Sequence, residues 1–188
     1  MSVLSEAVMQ SVVKNYVENN RPKAQAEHAW YAGLPTLESV VRAAATNDGK
    51  ASKSSRRNTA ESLRQAEDVL VGQLERIQSY KTFDALLEGV ERAVLPIAGL
   101  NDEYAYDTAR RIGAYLKIMP KHVYLFTSTR TGAKQLGIVS KKRLLLCTSL
   151  PSAFQELEPY EAEDVLSNLK KLITEPAATA RYFTQSRE

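Results

Sequence analysis

Across residues 59–80, Leu63, Ala66, Val69, Leu70, Leu74 and Ile77 recur at steps of three or four, with Val69 and Leu70 adjacent. A strand would throw such a set alternately to its two faces, whereas an α-helix gathers it into one stripe. The same period governs most of the chain. Val8, Val12, Val13, Tyr16 and Val17 predict a helix over residues 5–19, capped by Ser5 and stopped by Asn19, Asn20 and Pro22. Further helices are expected at 23–31, 36–45, 59–80, 82–94, 102–117 and 159–174, with shorter ones after Arg130 and Pro151. Thr36 and Thr59 stand where caps belong, and Gly137 stands where a helix ends in left-handed geometry. Residues 123–126 are too few to decide between strand and helix. The fold class is therefore all-α with little or no sheet.

Composition narrows the class further. Apolar residues make up 44% of the 188, enough to pack a core and too many for a disordered chain. Cys147 is the only cysteine, which rules out an intrachain disulfide and fits a reducing compartment. Two histidines without paired spacing make a structural zinc site a poor fit. With no leader and no apolar run of about 18 residues, the expectation is a soluble cytoplasmic protein without membrane contact, metal or cofactor. The pattern divides into an N-terminal helical segment at 1–45, a basic flexible loop at 46–58, a helical domain at 59–175 and a tail at 176–188.

Charge is distributed unevenly. Residues 108–155 contain no Asp or Glu, yet carry Arg110, Arg111, Lys117, Lys121, Arg130, Lys134, Lys141, Lys142 and Arg143. This window is +9 within a chain whose net charge is only +3. Such a field attracts polyanions over about 8 Å at physiological salt. Tyr104, Tyr106, Tyr115 and Tyr124 lie in the same region, where they suit either base stacking or a helical core.

Two turns frame the window. Gly99-Leu100-Asn101 reads as a tight reversal between helices, with Gly99 and Asn101 both suited to left-handed backbone. The unpaired N–H groups that open the next helix would face a phosphate. Thr127-Ser128-Thr129-Arg130-Thr131-Gly132 reads as a hydroxyl-rich loop that closes around an anion, or caps the helix behind it.

Residues 99–105, Gly-Leu-Asn-Asp-Glu-Tyr-Ala, resemble the hairpin of the helix-hairpin-helix DNA-binding motif, preceded by an amphipathic helix as that motif requires. Residues 129–137 are similar to the segment that follows the hairpin in helix-hairpin-helix DNA glycosylases and also closes on Leu-Gly. The central block further resembles a bacterial family without an assigned function, which implies no mechanism. The glycosylase resemblance spans about half the chain and implies a glycosylase-like helical domain that grips DNA. It departs from the family in four places. Asn101 replaces the second hairpin glycine, acids occupy 102 and 103, Glu103 stands where bifunctional members carry a lysine, and no carboxylate lies near 125–127. Base excision of the usual kind needs that acid.

The reading is therefore a DNA-binding protein without standard excision activity and with no catalytic residue assigned. Gly99, Asn101, Arg110, Arg111, Lys121, Thr127, Ser128, Thr129, Arg130 and Lys134 are the expected nucleic-acid or phosphate contacts. The alternatives are an enzyme or sensor for a small phosphorylated ligand or nucleotide, and a helical interaction module. The module would turn its basic face to an acidic protein or to a second copy of the chain.

Overall fold

A computed structural model describes residues 4–48 and 58–174. The central part of the expected basic loop and the whole expected tail lie outside the described residues. The all-α class holds. In order come α1 (Glu6–Asn19), α2 (Arg21–Ala32), α3 (Leu37–Thr46), α4 (Ala60–Val71), α5 (Leu74–Ser79), α6 (Phe83–Val94), α7 (Asp102–Leu116), β1 (Val123–Tyr124), α8 (Thr127–Gln135), β2 (Leu144–Leu145) and α9 (Pro159–Thr174). Two single 3₁₀ turns, Cys147–Ser149 and Ser152–Phe154, lie between β2 and α9. Among the described residues no helix is long and apolar enough to cross a membrane.

Contacts group the chain into two compact units rather than along the divisions suggested by composition. Among the described residues, one unit is the chain up to Lys23 together with the chain from His122 onward, and the other lies within Ala24–Lys121. The first helix is thus a partner of the last, not of its neighbours in sequence.

In the first unit, α1 lays Met9, Val12, Val13 and Tyr16 into a core with Leu125, Phe154, Val165, Leu166 and Leu169. The Tyr16 hydroxyl donates to Asp164 at 3.0 Å, tying α1 to α9. The segment 123–126, undecided from sequence, pairs antiparallel: Val123 lies opposite Leu145 and Tyr124 opposite Leu144. Gly132 lets α8 cross α9 closely, since a Cβ there would fall 2.1 Å from the Leu166 carbonyl oxygen. That approach is too close for any side chain.

The second unit is built on α3, α4, α6 and α7. Thr36 and Ser39 form a reciprocal capping box at the start of α3, and Thr59 and Thr82 cap α4 and α6. The stripe expected to make one helix over 59–80 is interrupted at Gly72 and Gln73. Gly72 is the weakest helix former in that run, and the chain turns there while Ile77 stays buried. Helix α7 is buried on nearly every side, from Tyr104 through Gly113.

Candidate functional site

The ten residues expected to contact phosphate fall into both units. Gly99, Asn101, Arg110, Arg111 and Lys121 belong to the second, and Thr127, Ser128, Thr129, Arg130 and Lys134 to the first. Within each unit their local structure separates those already engaged from those that face solvent.

At the hairpin-like turn, Gly99 has φ +90° and is exposed, as expected of the reversal. Asn101 does not take the left-handed conformation expected of it. Its backbone is extended (φ −136°, ψ 176°), and its Oδ1 accepts from the Tyr104 N–H at 2.9 Å. Asparagine here is an N-cap, the role its short acceptor side chain fills best. The cap occupies one of the donors that a phosphate would need. Asp102 and Glu103 occupy the first turn and satisfy the helix dipole with their own negative charge.

Arg110 and Arg111 are expected phosphate contacts that the structure buries, at 9% and 2% exposure. Arg111 Nε donates to Glu27 at 3.0 Å, its Nη1 donates to the Asn47 side chain, and its guanidinium lies 5.7 Å from the Tyr31 ring centre. It therefore sits at the C-terminal end of α3, where Asn47 takes φ 61° and the helix dipole favours a cation. Arg110 pairs with Asp107 at 3.9 Å and lies over Tyr106 at 5.9 Å. A guanidinium held in this way serves the fold and is not displayed to a ligand. Lys121 is exposed.

Tyr104, Tyr106 and Tyr124 are buried, which settles their role as core. The Tyr104 hydroxyl donates to the Ala45 carbonyl at 2.7 Å, and burial pushes its pKa up to about 12. Tyr31 donates to the Asp48 carbonyl at 2.9 Å, and burial, partly offset by Arg111, raises it likewise to about 12.

The hydroxyl-rich loop expected at 127–132 is a helix. Residues 127–132 form the first six positions of α8. Thr129 is fully buried, and its hydroxyl accepts from the Phe126 N–H at 2.6 Å while donating to the Phe126 carbonyl at 3.1 Å. The Thr131 hydroxyl turns back to the Thr127 carbonyl at 2.9 Å. Thr127 is exposed and Ser128 half-buried. The poor helix formers in this run are overridden by the packing of Gly132 and Ala133 against α9. The helix then closes in a Schellman arrangement. Gly137 takes φ 78°, its N–H donates to Lys134, and the Ile138 N–H donates to Ala133 at 2.9 Å.

Arg130 points into this reversal. Its Nη1 donates to the Ser140 carbonyl at 2.6 Å and to the Lys142 carbonyl at 3.4 Å, and its Nη2 donates to the Leu125 carbonyl at 3.1 Å. The guanidinium thus binds backbone on both sides, the end of β1 and the loop leading to β2. Lys134 is exposed, and so are Lys141, Lys142 and Arg143 on that loop. Sequence reasoning counted these last three in the basic window but did not select them. The signal was present as three successive cations placed between a helix-ending glycine and an apolar run. Arg143 spans 5.9 Å to each of the Tyr124 and Phe126 rings, which are stacked 6.2 Å apart and nearly parallel, so its stem covers the strand while its charge stays at the surface. Val139 and Leu146, 82% and 56% exposed, flank the three cations.

No family model, curated protein or solved structure matches the chain.

Proposed function

We propose that this protein binds a polyanion, in the first instance the phosphate backbone of DNA, through the basic loop between α8 and β2. The observation that carries the reading is the display of Lys134, Lys141, Lys142 and Arg143 within one ten-residue stretch that has no acid and lies wholly in one unit. These four replace Arg110, Arg111, Thr129 and the Asn101 cap as the contacts, because those groups are buried or already hydrogen-bonded. The proposed role is binding, not base excision. The small-phosphate reading is less favoured, since two of the four hydroxyls expected to ring the anion, Thr129 and Thr131, are turned onto the backbone carbonyls of Phe126 and Thr127.

The test is binding of a short fluorescent DNA duplex as salt is raised from roughly 50 to 200 mM. Each phosphate neutralised contributes about −0.9 to the log–log slope, so four contacts give roughly −3 to −4. Lys141→Glu with Lys142→Glu lowers affinity and flattens that slope. Absence of binding at low salt, or binding indifferent to salt, refutes the proposal.

The exposed Val139 and Leu146 favour a second reading, in which the same loop meets an anionic lipid surface. Cosedimentation with phosphatidylserine vesicles and none with phosphatidylcholine, coupled with no affinity for the duplex, would select that reading.

A further inference from the structure

We infer that Arg130 is a positioning residue for the binding loop and not a phosphate contact. This rests on the polyanion reading above and deepens it. A cation that reads phosphate keeps its donors for the ligand. Arg130 spends two guanidinium nitrogens on three carbonyls, those of Leu125, Ser140 and Lys142. Two of those carbonyls belong to the loop that carries the exposed cations, and one of them is that of Lys142 itself. Other contacts also hold the loop. Val139, Lys141, Lys142 and Arg143 are exposed, while Ile138 packs on the core of the unit. Arg143 lies over the Tyr124 and Phe126 rings, the Lys142 N–H donates to the Ser140 hydroxyl at 3.1 Å, and the Leu125 N–H donates to the Arg143 carbonyl at 2.8 Å. Arg130 links the two ends of this arrangement from a fixed base, the second turn of α8, which is itself locked to α9 at Gly132.

Two consequences follow from the planar fork of the guanidinium. Its donors diverge at fixed angles and reach carbonyls on both sides at once, whereas a lysine offers a single nitrogen. Lysine at 130 therefore keeps the charge and loses the brace. The loop then samples many conformations, and ordering it on the ligand costs affinity.

The experiment compares Arg130→Lys and Arg130→Ala in the full chain. Both variants are expected to weaken duplex binding by roughly tenfold, to the same extent, because geometry and not charge is what they share in losing. In a Lys141→Ala, Lys142→Ala background, Arg130→Lys is expected to add clearly less than it does alone, since two of the three loop cations through which it acts are gone. A merely structural role would subtract equally from both backgrounds. Hydrogen exchange supplies a readout independent of DNA: Arg130→Lys speeds exchange of the Lys142 and Leu125 amides while the amides of α9 stay protected. Wild-type affinity in Arg130→Lys overturns the inference, as does an equal loss in both backgrounds or unchanged exchange at Lys142. Failure of the wild-type chain to bind DNA sinks the function proposed above, and the exchange result still decides the role of Arg130.

Discussion

Arg21 and Glu161 form a pair in the first unit whose rupture should be costly and asymmetric. Arg21 Nε and Nη2 each meet one oxygen of the Glu161 carboxylate at 2.8 Å, a two-pronged contact. Glu161 also accepts from the Glu158 N–H at 3.0 Å, so it caps α9 while holding the start of α2. The hydrogen bond with Glu161 raises the Arg21 pKa above its ordinary value. The Glu161 side chain is 2% exposed and the Arg21 side chain 24%. Removing Arg21 leaves a carboxylate buried with one N–H for company. Breaking a buried pair in this way costs ~3–5 kcal/mol, and the partial exposure of Arg21 places Arg21→Ala near about 3 kcal/mol. Removing the charge at 161 is milder. Glu161→Gln keeps an acceptor for the Glu158 N–H, and the arginine turns to water, so the cost is about 1–2 kcal/mol. The double variant lacks the stranded charge and should lose less than the sum of the two, by about 1.5 kcal/mol or more. Urea unfolding followed by far-ultraviolet circular dichroism measures all three. Trp30, the single tryptophan, lies in the other unit, so its fluorescence reports whether that unit unfolds in the same transition. A Glu161→Gln cost equal to or above that of Arg21→Ala, or strict additivity in the double variant, refutes the argument from burial.

Gly132→Ala should lower stability by ~1–3 kcal/mol, read as a fall in the thermal midpoint, because its Cβ would meet backbone 2.1 Å away at Leu166. Gly89→Ala should cost less, since its Cβ would meet the hydroxyl end of Tyr80, a side chain that can swing aside. Alkaline pH should destabilise the second unit through Tyr31 and Tyr104, both raised to about 12 by burial. Unfolded tyrosine ionises near 10, so this stability is intact below about pH 10 and drains away as pH rises through 12, by up to ~3 kcal/mol per residue. An unchanged loss of stability between pH 10 and 12 in a Tyr31→Phe, Tyr104→Phe variant would contradict it.

The helices were legible because period and caps agree. Ser5, Thr36 and Thr59 each cap the helix that follows them, as expected, and apolar spacing located the buried faces of α1, α3, α6 and α9. Two local misreadings share a cause. A stripe in phase across Gly72 hid a break, and a run of threonines hid the first turn of a helix expected only from Arg130, since period and propensity were read without the neighbour that decides between them. For α8 that neighbour is α9, which comes some thirty residues later and packs directly on Gly132. Asn101 shows the same limit in miniature: the residue tolerates left-handed backbone and also caps helices, and only its extended backbone and its bond to the Tyr104 N–H show which was needed.

Charge was the least legible property, for a reason that bears on function. A window without acids fixes the sign of the local charge but not which cations are on display. Arg110 and Arg111 are adjacent to apolar residues on a helix buried almost all round, and the groups that receive Arg111 lie 84 and 64 positions away in the chain. One of those partners, Glu27, belongs to the acidic remainder that the window was contrasted with, so the apparent polarity partly cancels on folding. Arg130 is lost to the count in another way, since it spends its donors on carbonyls. What remains on display in the first unit is lysine-rich, Lys134, Lys141 and Lys142 beside Arg143, and in the second unit Lys117 and Lys121 are exposed. Arginine went where a planar fork had several acceptors to satisfy, and lysine went to solvent, as their geometries favour. A surface of lysines attracts phosphate as point charges without fixing its orientation, which suits a backbone contact that ignores sequence. For that reason the proposed binding should depend steeply on salt and hardly at all on the base composition of the duplex.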